Sequence, residues 1–241
     1  MKPCLIIGSC IYPFSSFVKL INPKEREELH LVALKRWIVE SNYDTIIICD
    51  NSNYIYSDEL ISFALEHGKV LEILAFEGDR NKCKELGKGY GEGEIMEYIL
   101  ENSININYFD SFCKVTGKLF IENHKKYTAF KNVDFAFDFS YSFFWSKDKV
   151  DCVFTNFYYA NLVSFKNFLK KEYLKVNDNK GFFLEHAYAF ALQRATNITV
   201  IPILPIVSGV SGSSGFRYSY SRKLIASVKY LLLLTPIIRK F

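Results

Sequence analysis

The run at residues 45–49, Thr-Ile-Ile-Ile-Cys, is apolar without alternation and leads straight into Asp50-Asn51-Ser52-Asn53. A strand with one wet face alternates apolar and polar side chains. An unbroken apolar run is buried on both faces, the condition of a parallel strand in a sheet covered by helices. This stretch therefore points to an α/β fold. In open sheets of that kind ligands bind beyond the carboxyl ends of the strands, so Asp50 and Asn51 are candidates for ribose or base contacts.

The neighbouring segments fit the same architecture. Leu5, Ile6 and Ile7 read as a central strand ending at Gly8, with a polar loop from Ser9 behind it. Between residues 23 and 40 the spacing of Leu29, Val32, Ala33 and Trp37 predicts a helix, and the charged run Lys24-Glu25-Arg26-Glu27-Glu28 reads as its solvated first turns. Ser57 can cap a helix through Leu60, Ile61, Ala64 and Leu65, closed by Gly68, and residues 70–76 return as a strand. The order is then β-α-β-α-β. A polar tip, Glu77-Gly78-Asp79-Arg80, leads into residues 87–98, GKGYGEGEIMEY. Here Gly89, Gly91 and Gly93 read as a flexible loop in front of a helix whose buried face is Ile95, Ile99 and Leu100. Glu92 and Glu94 already answer that helix dipole, so Arg80, Lys82, Lys84 and Lys88 are better placed than backbone amides to meet a diphosphate.

Residues 112–121, FCKVTGKLFI, read as a strand with Gly117 and Lys118 in its middle, where a bulge or a close ligand is expected. Residues 132–139 and 150–154 read as further strands, 162–171 as an amphipathic helix, and 176–181 as an exposed turn. A helix opens at Glu185 and His186 behind Phe182, Phe183 and Leu184. The loop 208–215, SGVSGSSG, carries Ser213 and is followed by Arg217, which makes it a second phosphate candidate. The first structural expectation is that Ser9, Asp50, Asp79, Lys114 and Lys118 line one cleft.

Composition narrows the function. The 241 residues carry a net charge of +4, yet residues 187–241 hold no Asp or Glu and seven Lys or Arg, leaving the remainder at −3. A basic tail on a mildly acidic body favours an anionic partner such as phospholipid over nucleic acid. The tail's apolar part, 224–238, contains Pro236 and is too short for a span of about 20 residues, so an interfacial segment fits it better. Six cysteines without a CxxC pair read as buried thiols of a reducing, cytoplasmic compartment. HExxH, GxSxG, the Walker loop and GxGxxG are all missing, which removes the familiar metalloprotease, esterase and dinucleotide signatures. Four histidines are too dispersed for an all-histidine metal site, and His30 and His67 read as surface residues of helices. Asp134 and Asp138, with His186, are the remaining candidates for metal ligands.

Taken in order, IIICDNSN (46–53), GKGYGEGEIMEY (87–98), FCKVTGKLFIEN (112–123), GFFLEH (181–186) and the SGVSGSSG loop resemble a bacterial GT-A-fold glycosyltransferase of surface-polysaccharide assembly (capsule, O-antigen or lipooligosaccharide). The likeness spans roughly residues 3–220. It implies a GT-A-like (Rossmann-like) mostly parallel mixed sheet flanked by helices, with one catalytic domain over 1–220 and a basic amphipathic membrane-associating segment over 221–241. It also implies a nucleotide-sugar donor and a glycan or lipid-linked acceptor, at the inner face of the cytoplasmic membrane. Asp50 would match the aspartate near the base or ribose. Glu185 would match the acidic residue that serves inverting enzymes as base, with His186 beside it. The family's usual DxD is replaced where KVTGKLF stands, so Lys114 or Lys118 would neutralise the diphosphate. No cofactor is fixed by the sequence, and the resemblance admits a divalent cation, Mg or Mn. The alternatives are a nucleotidyl- or phosphotransferase of the same half-sheet and a catalytically inert carbohydrate- or membrane-binding module.

Overall fold

The structure is a computed structural model that describes residues 1–140, 150–212 and 215–218. Ser213 and the segment 221–241 lie outside the described residues. Among those described, no helix is long and apolar enough to cross a membrane.

The first half alternates strand and helix: β1 (Cys4–Ser9), α1 (Pro23–Glu40), β2 (Thr45–Asp50), α2 (Glu59–Glu66), β3 (Val70–Ala75), α3 (Arg80–Leu86), α4 (Lys88–Asn102) and β4 (Ser111–Thr116). The second half holds β5 (Leu119–Ile121), β6 (Phe135–Phe139), β7 (Val153–Asn161), α5 (Leu162–Phe168), α6 (Leu184–Arg194), β8 (Val200–Pro202) and β9 (Val207–Gly209). Seven strands form one sheet in the order β3-β2-β1-β4-β7-β6-β8, and β5 pairs with β9 in a separate ribbon. Only the β4–β7 and β7–β6 pairings of the large sheet are antiparallel, so β7 alone runs against the rest. This is the mixed, mostly parallel α/β sheet flanked by helices that the sequence leads one to expect.

The unbroken apolar strands are explained by cover on both faces. Cys4 and Ile6 of β1 join Ile47, Ile95, Ile99 and Leu184 in one core, while Leu5 and Ile7 join Leu34, Trp37, Ile46 and Ile48 in the other. α1 starts where Asn22 accepts the Lys24 and Glu25 amides and Pro23 occupies the first turn. Its buried face is Arg26, His30, Ala33, Leu34, Trp37 and Ile38, whereas Val32 is exposed. The face is thus rotated from the expected one, and Arg26 and His30 are buried rather than solvated.

Trp37 also ties α1 to β5. Its indole N–H donates to the Leu119 carbonyl at 2.8 Å, and its ring lies 4.4 Å from that of Phe120. Arg36 adds bonds to Glu122, 2.8 Å on the closer arm, and to Ser208 at 3.0 Å, with its guanidinium 3.8 Å over Phe120. The β5–β9 ribbon is held over the sheet by these groups.

Three further sequence expectations are revised. The glycines at 89, 91 and 93 lie inside α4, not in a loop before it, and only Gly87, with φ 108°, takes a left-handed turn. Their missing side chains let four neighbours approach the helix: a Cβ would meet Leu184 at Gly89, Asn51 and Cys83 at Gly91, and the Tyr173 side chain at Gly93. The expected strand over 112–121 is two strands broken at Gly117 and Lys118. The turn around 178 is likewise less exposed than its composition suggests: Asp178 is buried, and its carboxylate packs on Gly87 where α4 starts.

Candidate functional site

The chain moves outward from β1 to β2 and β3, then returns to place β4 on the other side of β1. Beyond the carboxyl ends of strands at such a reversal the loops diverge and leave a crevice. A cleft of about 270 Å³ opens there, lined by Gly8, Ser9 and Cys10 after β1 and by Lys114 and Thr116 of β4. α4 contributes Lys88, Gly91, Glu92 and Ile95. Glu185 of α6 and Thr155 and Asn156 of β7 close one wall. The ribbon contributes Lys118, Leu119, Val210, Ser211 and Gly212. The Gly212 carbonyl accepts the Lys19 amide at 3.2 Å, joining this roof to the loop after β1.

Asp50 is wholly buried behind the cleft floor. One carboxylate oxygen accepts from Ser9 Oγ at 2.7 Å and the Ile11 amide at 3.0 Å; the other accepts from the Ser52 amide at 2.8 Å and Oγ at 2.5 Å. With this set Asp50 shapes the loop rather than reaching a ligand. Ser9 Oγ, having given its proton to Asp50, lies 3.0 Å from His30 Nδ1 and 2.7 Å from the Tyr56 hydroxyl, and Nε2 of His30 is buried without a hydrogen-bond partner among the described residues. Burial, Lys118 and Arg26 together hold the His30 imidazole well below its usual pKa, so it is neutral. Asn51 donates to the Gly91 carbonyl at 3.3 Å, a contact that a side chain on Gly91 would obstruct.

Two lysines flank the turn. Lys114 pairs with Glu92 and donates to the Thr155 carbonyl at 2.8 Å. Thr155 Oγ1 in turn reaches Glu185 Oε1 at 3.4 Å. Thr155 can do this because β7 carries three residues, 155–157, that have no partner on β6, where the pairing jumps from Phe137↔Tyr158 to Asp138↔Phe154. Lys118, 4 % exposed, has no such partner: burial, Arg26 and Lys88 push its pKa down to about 7, with Cys10 opposing. Arg26 donates to the carbonyls of Cys10 and, at 2.8 Å, Leu20, and burial lowers its pKa too.

Of the residues singled out in the sequence, the structure brings Ser9, Asn51, Lys88, Gly91, Lys114, Lys118 and Glu185 to this one cleft, with Asp50 directly behind. It places the others elsewhere. Asp79 caps α3 through the Lys82 amide at 2.9 Å, and Lys82 lies over the Tyr90 ring. Gly89 packs on Leu184, and Gly117 packs on the His30 ring while its amide bonds the Gly8 carbonyl at 2.8 Å. Arg217 is exposed opposite Val210. His186 accepts the Phe183 amide at 3.2 Å as a helix cap. Asp134 accepts from Ser164 and from the Thr199 amide at 2.7 Å, and neither it nor Asp138 lines the cleft. Arg26, His30, Thr155 and Asn156 belong to the cleft without having been singled out. For Arg26 and His30 the signal was present, since 26, 30, 34 and 37 share one helical face.

Among the described residues no three His, Cys, Asp or Glu side chains are grouped to hold a metal ion. The carboxylates lining the cleft are Glu92, engaged by Lys114, and Glu185, and they share it with Arg26, Lys88 and Lys118. With Lys114 counted, four cations face these two carboxylates, and that excess of positive charge opposes a bound Mg or Mn ion.

No family model and no curated protein matches the chain. Solved structures similar to it include HddC from Yersinia pseudotuberculosis, at 12% identity over 95% of this chain and 100% of that one, with a TM-score of 0.45. The apo form of the glycosyltransferase GlyE of Streptococcus pneumoniae TIGR4 aligns at 10% identity over 83% of this chain and 45% of its own, TM-score 0.46. The apo bifunctional glycosyltransferase WbbM aligns at 9% identity over 95% and 44%, TM-score 0.49. This chain therefore spans less than half the length of those two glycosyltransferases. At such identities and TM-scores the likeness is distant, and what the chain does is to be read from its cleft.

Proposed function

We propose that this protein is a glycosyltransferase that moves a sugar from a nucleotide-sugar donor to a hydroxyl of a surface glycan or lipid-linked acceptor. The observation that carries the reading is the meeting, at the strand-order reversal between β1 and β4, of a cationic wall and a carboxylate across one cleft. Displacement at the anomeric carbon needs both. Cations stabilise the departing diphosphate, and a base takes the proton of the attacking hydroxyl. Glu185 is the carboxylate free to act as that base: it projects from the first turn of α6 and keeps one bond, to Thr155. Asn51 and Ser9, at the ends of β2 and β1, sit where the ribose and base of the donor would lie.

A panel of nucleotide sugars tests this with the full chain. Release of nucleoside diphosphate with transfer of the sugar is the expected result. Release of pyrophosphate or nucleoside monophosphate would make the protein a nucleotidyl- or phosphotransferase, and tight binding without turnover would make it an inert binding module. We further assign peripheral membrane attachment to the basic segment 221–241. Deleting residues 224–241 should move the protein into the soluble fraction, and unchanged partitioning would remove that assignment.

A further inference from the structure

We infer that Lys118 and Arg26 form a metal-independent binding site for the diphosphate of a nucleotide, doing with fixed cations what a divalent ion would otherwise do. The inference rests on the reading of the cleft as a nucleotide-sugar site. Lys118 lies in the turn between β4 and β5, is almost wholly buried, and lines the cleft, yet its ammonium makes no hydrogen bond or ion pair among the described residues. A buried cation without a counter-charge is costly, and proteins seldom keep one unless a partner arrives.

The groups that face Lys118 leave no doubt about the sign of that partner. α1 presents Arg26 and a neutral His30, α4 presents Lys88, and the loop after β1 presents the Cys10 thiol. Burial holds that thiol protonated, at a pKa of about 11. Of the carboxylates of the cleft, Glu92 is paired with Lys114, and the one bond of Glu185 among the described residues is to Thr155 rather than to Lys118. Arg26 uses Nε, Nη1 and Nη2 on the carbonyls of Cys10 and Leu20 and forms no ion pair among the described residues, the buried Asp50 acting on it only at longer range. A divalent cation entering here would meet like charge. A diphosphate would meet two cations and, at Gly212, a glycine close enough to the Lys118 ammonium for the roof to cover the anion.

One consequence separates binding by Lys118 from a structural role. The free ammonium is partly deprotonated near neutrality, and an anion beside it restores its affinity for a proton, so binding takes up a proton from solution. The test is calorimetric titration of the full chain, in EDTA and in buffers of different ionisation enthalpy, with UDP, GDP, ADP, CDP and TDP and with inorganic pyrophosphate. The expected result is binding of at least one nucleoside diphosphate without metal and with net proton uptake. Lys118→Met should weaken it by about 10- to 100-fold, the worth of a charged hydrogen bond. Lys118→Arg guards against a folding defect: it keeps the charge but removes the lysine's share of the uptake, because guanidinium stays protonated. Binding only with added Mg or Mn, parental affinity in Lys118→Met, or proton uptake undiminished in Lys118→Arg would each overturn the inference. So would pyrophosphate binding as tightly as every nucleoside diphosphate. Metal-free diphosphate binding without transfer from any nucleotide sugar would sink the transferase reading and leave this site standing; transfer that requires a divalent ion would do the reverse.

Discussion

Lys114 and Lys118 stand on either side of Gly117, both nearly excluded from water, and their surroundings are opposite. Lys114 is held by the Glu92 carboxylate and the Thr155 carbonyl, and through Thr155 it fixes the wall that carries Glu185. Lys118 meets Arg26 and Lys88. The first is a closed network whose members answer one another. The second is an open one, and the difference teaches where a ligand's charge is wanted. A buried ion that is already paired sets geometry, whereas one left among like charges waits for its counterion.

The comparison can be broken at several points. The largest effect is expected at Glu185, on the paired wall. Glu185→Gln keeps the shape and loses the basicity, so turnover should fall by about 10²–10⁴-fold while donor affinity measured by titration stays near that of the parent. Transfer at the parental rate by the folded variant would pass the role of base to another group.

Next comes the closed network itself. Lys114→Met strands Glu92 and removes a donor from Thr155, and should cost roughly 2–3 kcal/mol in chemical denaturation, moderated because Glu92 keeps some contact with water. A loss indistinguishable from zero would mean the pair is not formed in solution. Gly93→Ala tests the support behind it. The added methyl meets the Tyr173 side chain, and overpacking should cost about 1–3 kcal/mol. Gly181→Ala, where nothing lies within 4 Å but φ is +73°, should cost less, about 1 kcal/mol from the backbone alone.

Last, and the sharpest for the contrast, is the pH dependence of stability at Lys118. Its pKa falls from 10.5 in the unfolded chain to about 7 in the folded one. Between those values the unfolded state binds more protons, so stability rises with pH from about 7 to 10.5, and the charge penalty is complete below 7. Relative to Lys118→Met, the parent should therefore gain stability with pH in that window, with a slope of at most about 1.4 kcal/mol per unit. A flat difference across the window would show that the ammonium is solvated or paired, and the two lysines would no longer be opposites.

How far this could be read from the chain differs between the two halves of the cleft. β1, β2 and β3 were legible because strands covered on both faces leave unbroken apolar runs, and Ser9 and Asn51 follow from the ends of the first two. The glycines at 89, 91 and 93 misled, since composition alone does not distinguish a loop from a helix that neighbours approach closely; their spacing turns each to a different neighbour. His30 and Arg26 were hidden by residue type. A charged stretch reads as solvated, and only the rotation of the helical face reveals which of its members turn inward. Thr155 and Asn156 owe their place to an irregularity in β7 that depends on a partner strand, which no local pattern records. The pairing of Lys114 with Glu92 is of the same kind, because 22 residues and a helix separate them.

The order in which the chain is made gives the β5–β9 ribbon a further meaning. The parallel core of β1, β2, β3 and β4 is complete by Thr116, but the strand that roofs Lys118 is β9, with Ser208 lying 88 residues beyond its partner Phe120. During synthesis the sheet can assemble while the binding cleft is still open to solvent, and closure of that long loop comes late. A nascent or truncated chain ending before Val207 would be a folded scaffold with an unroofed floor, so its competence to bind would be acquired only as the last part of the protein emerges.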